Sequence, residues 1–354
     1  MEALINETRP EAVHIIETFG TGPYMEYRIP GIIITRKGTL LCCYEGRMNT
    51  CDDWAKIDIV ICRSTDGGIN FSKQIVCASE EEHEQGAVTW NNPVLIEDGE
   101  MIHLIFHKNY EKAYYCFSRN DGITFSKPED ITYVFKTYPC EWNVCASGPG
   151  HGIVTQNGRL IVPVWIANGE VLDESSRKKA HAPSIAGSIY SDDRGKTWRA
   201  GALVHGVANA NETTIAELPD YRILFNFRNT EQERFRVLGI SEDVAVGFIK
   251  VWTEKGLPDP QCFGSMVSLD EKRIGFVNCA NNDLDHPLGK RIYLTVYESQ
   301  NEGTQWSPMI HVDVSGGYAD IAVYGNQLYV FYEQCTWNKD IKRVNHLILK
   351  QFII

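Results

Sequence analysis

Short apolar segments recur along the chain in pairs, and each pair is joined by a tight turn of polar residues or glycine. The first pair is Gly31–Thr35 and Thr39–Tyr44, which meet at Lys37-Gly38. Apolar runs of roughly four to eight residues that are bounded by turn residues predict β-hairpins. The other five hairpins are predicted at Pro93–Ile96 with Met101–Phe106, Gly152–Thr155 with Arg159–Val164, Thr214–Leu218 with Arg222–Phe227, Met266–Leu269 with Arg273–Val277, and Asp320–Val323 with Gln327–Tyr332.

The hairpin turns recur at a nearly constant spacing. Their positions, 37, 98, 157, 220, 270 and 325, lie 50 to 63 residues apart, so six units fill the 354 residues. Several strands per unit, with almost no helical periodicity, are typical of a propeller blade. The pattern therefore predicts an all-β fold in a single domain over residues 1–354: a six-bladed β-propeller of four-stranded antiparallel blades.

A second repeat follows the third strand of most units. Ser191–Trp198 fits the pattern Ser-x-Asp-x-Gly-x-Thr-Trp at every position, Ser64–Phe71, Ser118–Phe125 and Ser299–Trp306 are close copies, and Ser241–Phe248 is a degraded one. In such an Asp-box the Asp side chain caps backbone N–H groups, the glycine adopts a positive φ and the aromatic residue is buried. No series of calcium ligands follows these aspartates. We therefore interpret the boxes as structural turns.

Two terminal segments are expected to complete the ring. The sixth unit has no Asp-box because the chain ends after the apolar stretch Val344–Ile354, and Ala12–Phe19 precedes the first hairpin without a blade of its own. If Ala12–Phe19 forms the outer strand of the last blade, the pairing removes an exposed sheet edge. We therefore expect the N-terminal strand to close the propeller.

Composition narrows the range of partners. Asp and Glu number 46 against 34 Lys and Arg, and the formal net charge is −12. A chain this acidic is a poor binder of nucleic acid or of an anionic membrane through its overall field, and no apolar run approaches the roughly 18 residues of a membrane helix. Met1–Pro10 has no apolar core typical of a secretory signal, and the eleven cysteines lack zinc spacings. We expect reduced thiols and a cytoplasmic location.

Antiparallel topology assigns the polar residues to the two ends of the propeller. We call the top the end where each blade's first strand begins; second strands end there and third strands start there, whereas the Asp-boxes lie at the bottom. Arginines gathered at one end of an acidic protein suit a carboxylate ligand, which a guanidinium binds in bidentate fashion. The residues predicted at the top are Arg28, Glu45, Arg47, Asp52, Asp53, Glu212, Arg228, Arg291, Tyr318 and Glu333.

The order of these residues resembles that of the exo-α-sialidases (neuraminidases) of the bacterial and animal type, glycoside hydrolase family 33. The resemblance spans essentially all six units. Asp-boxes alone occur in many propellers, whereas the ordered series of motifs is specific. The series is Arg28-Ile29-Pro30, Asn211-Glu212, Asn226-Phe227-Arg228, Arg291 before Leu294-Thr295-Val296, Tyr318-Ala319-Asp320 and Tyr332-Glu333.

The resemblance implies how the substrate is bound. Arg28, Arg228 and Arg291 would form the triad that holds the carboxylate of sialic acid. Glu333 would pair with Arg28 and orient it, and Arg47 would line the pocket near the 4-hydroxyl of the sugar. The implied partners are sialic-acid-containing glycans, and neither a metal nor a cofactor is required.

The resemblance also implies a retaining hydrolysis. Tyr318 would be the nucleophile and Glu212 the base that accepts its proton. A neutral tyrosine suits this substrate, because an anionic nucleophile would be repelled by the carboxylate on the anomeric carbon. Asp52 would be the general acid/base; it is chosen over the neighbouring Asp53, a second pocket residue, because its distance from Arg47 matches better.

Other functions of the same fold stay open at this point. A non-catalytic sugar-binding propeller would need only the arginines, so the presence of Tyr318, Glu212 and an aspartate at the position of the general acid/base argues against it. A related ulosonic-acid glycosidase, or a transferring or intramolecular trans-sialidase, would use the same residues. Specificity depends on loop contacts that the sequence does not reveal. The linkage preference and the oligomeric state are likewise undetermined.

Two further motifs are given structural interpretations. Gly148–Gly152 opens a strand rather than a helix and lacks the lysine and the serine or threonine of a phosphate-binding loop. We expect it to be a tight loop at the start of blade 3, with His151 satisfied within the loop. Trp90, Trp142 and Trp165 are expected to be buried aromatics of the blades rather than a sugar-stacking surface.

Overall fold

The computed structural model describes residues 9–77, 88–173, 178–231, 233–338 and 341–354, so most of the Met1–Pro10 segment lies outside the described residues. Within these ranges the chain forms 28 strands and a single-turn helix, Thr132–Phe135. That helix is far too short to cross a membrane. The strands form six small antiparallel sheets arranged in a ring, and the prediction of a six-bladed β-propeller is confirmed.

Blades 1, 4 and 5 are regular four-stranded sheets, in which the order of the strands follows the chain. The predicted hairpins of these blades are confirmed. Their strands are Glu26–Ile34, Leu40–Arg47, Ile57–Ser64 and Ser72–Cys77 in blade 1; Thr213–Glu217, Ile223–Phe227, Phe235–Ser241 and Lys250–Pro258 in blade 4; and Ser265–Ser268, Ile274–Cys279, Ile292–Ser299 and Ser307–Ser315 in blade 5.

Blades 2 and 3 are joined through their innermost strands. Gly150–His151 pairs in parallel with the first strand of blade 2. Along the chain it lies between two short segments that both pair within blade 3. The strands are Trp90–Glu97, Ile102–Lys108, Lys112–Ser118 and Glu129–Asp130 in blade 2; and Val144–Ser147, Ile153–Val154, Leu160–Ala167, Ser184–Ser191 and Arg199–Ala200 in blade 3. A separate two-stranded hairpin, Val171–Asp173 with Lys178–Lys179, follows the second strand of blade 3.

The predicted first strand of blade 3, 152–155, is thus shorter in the structure, and an extra inner segment precedes it. Gly148 and Gly150 have φ values of 32° and 90°, and Pro149 has no N–H, so the strand ladder is interrupted there. A Cβ atom on Gly150 would lie 2.9 Å from Cζ of Phe263. Glycine therefore allows this crossing segment to pass close to blade 5.

Blade 6 contains both ends of the ring. Ala12–Thr18 pairs antiparallel with the last strand, and Ala12 lies opposite Gln351. This confirms the expected closure, which leaves blade 6 with four strands although the chain ends after its third. These strands are Ala319–Tyr324, Gln327–Asn338, Ile341–Ile353 and Ala12–Thr18.

Burial decreases from the axis to the rim of each blade. Every residue of the inner strand Leu40–Arg47 is buried, because neighbouring blades pack on both of its faces. The outer strand Ala12–Thr18 instead alternates, with Val13 and Ile15 exposed. Nine of the eleven cysteines are also buried, where they pack as small apolar side chains. The core thus fixes the inner strands, whose upper ends carry the polar residues.

The Asp-boxes form the predicted turns between third and fourth strands. In Ser191–Trp198, Asp193 Oδ1 accepts a hydrogen bond of 2.8 Å from the backbone N–H of Thr197, and Gly195 has a φ of 79°. Trp198 is buried against the aromatic ring of Tyr115. The aspartate therefore caps a turn, as its pattern predicts, at the end of the propeller opposite to the arginines.

Candidate active site

Most of the residues predicted at the top lie at the upper ends of first and second strands, where cross-strand pairing brings them together; Arg291 precedes the third strand of blade 5, and Asp52 and Asp53 lie in the loop after Arg47. Glu45 lies opposite Arg28 in blade 1. In blade 4, the backbone N–H of Arg228 donates to the carbonyl oxygen of Glu212 at 3.1 Å. The same register in blade 6 joins Glu333 N–H to the carbonyl oxygen of Tyr318 at 2.9 Å. The topology thus places acids, arginines and the tyrosine around the axis.

Tyr318 and Glu212 are hydrogen-bonded to each other. The Tyr318 hydroxyl donates to Glu212 Oε1 at 2.5 Å, and Arg228 Nη1 donates to the hydroxyl oxygen at 2.6 Å and also to Glu212 Oε2. Burial raises the pKa of Tyr318, and the nearby Arg228 guanidinium opposes this effect without cancelling it. The tyrosine is therefore a neutral hydroxyl whose proton already points at a carboxylate.

Three guanidinium groups surround the ring of Tyr318. The Cζ atoms of Arg291, Arg28 and Arg228 lie 5.0, 5.2 and 5.9 Å from the ring centroid. Burial lowers the pKa of Arg228, but the charge and hydrogen bond of Glu212, together with Tyr318, outweigh burial and raise the pKa above its ordinary value. Three permanent positive charges thus converge beside the hydroxyl, an arrangement suited to a carboxylate ligand.

Glu333 connects the arginine of blade 1 to the tyrosine of blade 6. Its Oε1 accepts hydrogen bonds from Arg28 Nε at 2.8 Å and from the backbone N–H of Ile29 at 3.1 Å, and its Oε2 accepts one from the backbone N–H of Tyr318 at 3.1 Å. The side chain of Glu333 is 0% exposed. This carboxylate therefore fixes Arg28 in orientation and holds two blades together.

The backbone at Arg28-Ile29-Pro30 is strained. Ile29 has a φ of 62°, which a β-branched residue rarely adopts, and the strand register shifts between Arg28 and Gly31. Asn92, which also precedes a proline, has a φ of 52° at the corresponding bulge of blade 2. Such outliers persist where surrounding contacts hold them and are common at functional sites. The Ile29 N–H to Glu333 bond is one such contact.

Charges of alternating sign run from blade 1 into the pocket. Arg47, whose side chain is 0% exposed, donates to Glu45 Oε2 at 2.7 Å and forms an ion pair of 2.8 Å with Asp53 Oδ1. Asp53 in turn lies 3.8 Å from Arg28 Nη1. Burial lowers the pKa of Arg47, but Glu45 and Asp53 together raise it above its ordinary value. Asp53 is thus held at the edge of the arginine cluster.

The neighbouring Asp52 points elsewhere. Its Oδ1 accepts a hydrogen bond of 2.9 Å from the backbone N–H of Trp54, and its Oδ2 pairs with Lys178 Nζ at 2.5 Å. The sequence-based choice of Asp52 as the general acid/base rests on its distance from Arg47 along the chain. The side-chain geometry favours Asp53 instead, because Asp53 is the carboxylate that contacts Arg47 and Arg28.

An aromatic wall faces the arginines, and most of it was missed from the sequence. The ring centroids of Tyr110 and His181 lie 4.6 Å apart, those of Trp54 and Tyr110 lie 5.0 Å apart, and those of Trp165 and His181 lie 5.2 Å apart. Burial raises the pKa of Tyr110 and lowers that of His181. Tyr110 follows the second strand of blade 2, so the rule that located Arg47 could have located it.

A cavity of about 390 Å³ opens beside these groups. A second cavity, of about 490 Å³, lies at the bottom of the axis, away from the arginines. Within the described ranges no three His, Cys, Asp or Glu side chains are gathered to hold a metal ion, and the metal-independent reaction stays a prediction. The upper cavity is lined by Arg28, Cys51, Asp52, Asp53, Trp54, Leu172, Lys178, Lys179, Ala180 and His181.

His151, the histidine of the Gly148–Gly152 loop, lies beneath this site. Its Nδ1 is 2.8 Å from Asp320 Oδ1, and both side chains are buried. Asp320 Oδ2 also accepts a hydrogen bond of 2.7 Å from the backbone N–H of Ile32. The pair therefore joins blades 1, 3 and 6 near the axis. His151 thus has a buried hydrogen-bond partner, Asp320, within the fold.

Comparisons with known proteins show which proteins this chain resembles. The BNR repeat-like domain matches residues 38–330. A sialidase of Bacteroides fragilis is 26% identical over 333 residues, which cover 82% of this chain and 53% of that protein, so the chain spans about half of that relative's length. An exo-alpha-sialidase of Arthroderma benhamiae is 26% identical over 84% of this chain and 75% of its own length. The solved structure of Hadza microbial sialidase Hz136 superposes with a TM-score of 0.78 at 22% identity, covering 94% of this chain and 66% of that one.

Proposed function

The chain belongs to the BNR repeat-like family, and we propose that it is an exo-α-sialidase that hydrolyses terminal α-linked sialic acid with retention of configuration. The observation that carries this proposal is the Tyr318 hydroxyl, which donates to Glu212 within a ring of three arginines. The relatives described as sialidases support the same activity. The natural partners are then sialylated glycans.

Binding begins with the substrate's carboxylate. Arg28, Arg228 and Arg291 supply three fixed positive charges, and their donors replace the water that the carboxylate loses. Glu333 prevents Arg28 from turning away, because it holds Nε of that arginine at 2.8 Å. The charges are in place before the substrate arrives, so little reorganisation is needed as positive charge develops on the sugar ring in the transition state.

Tyr318 attacks the anomeric carbon while Glu212 accepts its proton. The neutral hydroxyl avoids the repulsion that a carboxylate nucleophile would meet at a carbon bearing a carboxylate. One C–O bond forms to Tyr318 as the bond to the leaving group breaks. In the second step water attacks the anomeric carbon from the face that the leaving group vacated, the bond to Tyr318 breaks, Glu212 returns the proton to the tyrosine, and the two inversions retain the configuration.

A second carboxylic acid protonates the leaving group. We assign this role to Asp53 rather than Asp52, because Asp53 lies against Arg47 and Arg28 at the mouth of the pocket and is 46% exposed to incoming substrate. The carboxylate that pairs with Arg47 first takes up a proton from solvent, and in the first step this proton passes to the departing oxygen. In the second step the resulting carboxylate removes a proton from the attacking water.

Hydrolysis of 4-methylumbelliferyl α-sialoside tests the proposal. Tyr318→Phe removes the nucleophilic oxygen and should lower kcat by on the order of 10³-fold or more, and Glu212→Gln should lower it by about 10²- to 10⁴-fold. Tyr324→Phe, at an exposed tyrosine in the bottom turn of blade 6, is the matched control and should keep wild-type activity. Undiminished activity in Tyr318→Phe would refute the assignment of the nucleophile, and an inactive wild type would refute the sialidase activity.

A further inference from the structure

The segment Lys178–His181 of blade 3 contacts both residues that flank Asp53. Lys178 Nζ pairs with Asp52 Oδ2 at 2.5 Å, and the ring centroid of His181 lies 6.1 Å from that of Trp54. Asp52 and Trp54 are the residues immediately before and after Asp53 in the sequence. One segment of blade 3 therefore contacts the acid loop on either side of the candidate proton donor.

The acid loop, residues 48–56, is fixed at its two ends and through the side chain of Asp53, which pairs with Arg47 at 2.8 Å. Its ends are joined by a hydrogen bond of 3.0 Å from Met48 N–H to the carbonyl oxygen of Lys56, and Arg47 Nη1 donates to the carbonyl oxygen of Cys51 at 2.8 Å. Between those points the loop is irregular, and Asp53 is about half exposed. Within the loop the Ala55 N–H donates to the carbonyl oxygen of Asp52 at 3.2 Å. The contacts made by Lys178 and His181 add to these and join Asp52 and Trp54 to a separate segment of the propeller.

The Lys178–His181 segment is itself anchored to blades 2 and 3. Lys179 Nζ pairs with Glu111 at 2.7 Å and donates to the carbonyl oxygen of Asn143 at 3.1 Å. The Ala180 N–H donates to the carbonyl oxygen of Glu170 at 2.9 Å. The two neighbouring lysines therefore have different roles: Lys179 attaches the segment to its own side of the site, and Lys178 reaches across the cavity to the acid loop.

We propose that Lys178 is a positioning residue, which acts through Asp52 to keep Asp53 where the leaving group departs. The inference rests on the proposed sialidase function and extends it to the leaving group. The cavity of about 390 Å³ lies between the acid loop and the Lys178–His181 segment, so the departing alcohol passes through it. A displacement of a catalytic group by about 1 Å can cost 10²-fold in rate, although an exposed ion pair by itself contributes little to stability.

The positioning role makes a prediction that depends on the leaving group. A sugar hydroxyl is a poor leaving group and needs the proton of Asp53, whereas the methylumbelliferyl phenol is a good one and departs with little help. Lys178→Met should therefore lower kcat/KM for sialyllactose by about 10- to 100-fold and for 4-methylumbelliferyl α-sialoside by less than about threefold. Lys178→Arg, which keeps the charge, should recover most of the lost activity on sialyllactose.

Asp52→Asn isolates the same ion pair from the other side. Asparagine retains an oxygen for the Trp54 N–H bond but loses the negative charge that faces Lys178. It should give the same selective loss as Lys178→Met, and the double variant should be no worse than either single one. Lys73→Met is the matched control, because Lys73 also forms an ion pair, of 2.8 Å with Glu17, but lies on the outer strand of blade 1 and does not line the cavity. It should not distinguish the two substrates.

Each remaining outcome decides against a specific statement. Equal losses on both substrates, or additive losses in the double variant, would overturn the positioning role of Lys178. If Asp52→Asn abolished sialyllactose cleavage while Lys178→Met and Asp53→Asn left it intact, Asp52 would be the acid itself. If the wild type released sialic acid from neither substrate, the proposed function would fall and the positioning role with it.

Discussion

Glu333 offers a direct test of how the site is held together, because one fully buried carboxylate serves two blades. Glu333→Gln keeps the size and Oε1 of the side chain but replaces Oε2 with an NH₂ group. That group faces the backbone N–H of Tyr318, so two donors oppose each other where a bond of 3.1 Å existed. Arg28, 2.8 Å from Oε1, loses its buried negative partner.

Removal of one partner from a buried ion pair costs about 3–5 kcal/mol, because the other charge is left uncompensated. We therefore expect Glu333→Gln to lower the free energy of unfolding by that amount. Urea denaturation followed by fluorescence of the eight tryptophans measures the change. KM for the aryl sialoside should rise as well, since Arg28 is no longer held towards the substrate's carboxylate.

Glu298→Gln is the matched control for this experiment. Glu298 also pairs with an arginine, Arg273, at 3.3 Å, but both side chains are partly exposed. Solvent screens such a pair, and its loss should cost no more than about 1 kcal/mol. If Glu333→Gln were no more destabilising than Glu298→Gln, or left KM unchanged, the conclusion that Glu333 fixes Arg28 would be wrong.

Two further predictions concern the axis. Burial lowers the pKa of His151, but the Asp320 carboxylate outweighs burial and raises the pKa above its ordinary value. The pair should therefore stabilise the fold fully below about pH 6.5, and progressively less as the pH rises through the pKa that His151 has in the folded protein. His151→Gln should abolish this pH dependence of the urea midpoint. Gly150→Ala, with φ 90° and a Cβ 2.9 Å from Phe263, should cost about 2–5 kcal/mol, whereas Gly158→Ala, with φ 85° and open space, should cost about 1–2 kcal/mol in the same assay.

The sequence predicts the architecture well because propeller blades are built from local hairpins. Turns such as Lys37-Gly38 occupy consecutive residues, and the strands beside them pair with their neighbours in the chain. Even the closure by Ala12–Thr18 follows from counting strands. The start of blade 3 was less predictable, because Gly150–His151 leaves its own sheet for a parallel pairing with blade 2.

The sequence predicts which residues form the site, but it predicts less well where their side chains point. Strand order alone brings Arg28, Tyr318 and Glu333 to one end of the propeller. The hydrogen bonds that Glu333 accepts from Arg28 and Tyr318 join strand ends that lie next to each other in space. Asp52 and Asp53 are adjacent, however, and which of them faces the arginines depends on side-chain torsions and on Lys178, 126 residues away from Asp52. The positive φ of Ile29 likewise depends on contacts from another blade.

The pairing of Ala12–Thr18 with Ile341–Ile353 also determines when the site can form during synthesis. Blade 6 lacks its third strand until residues near 350 leave the ribosome, although Arg28 is made more than 300 residues earlier. The contacts that Glu333 makes with Arg28 must therefore form between residues 305 positions apart in the chain, which is a slow step because non-local contacts carry the full entropy of loop closure. The protein should thus acquire its carboxylate-binding pocket only in the last stage of folding, when the ring closes.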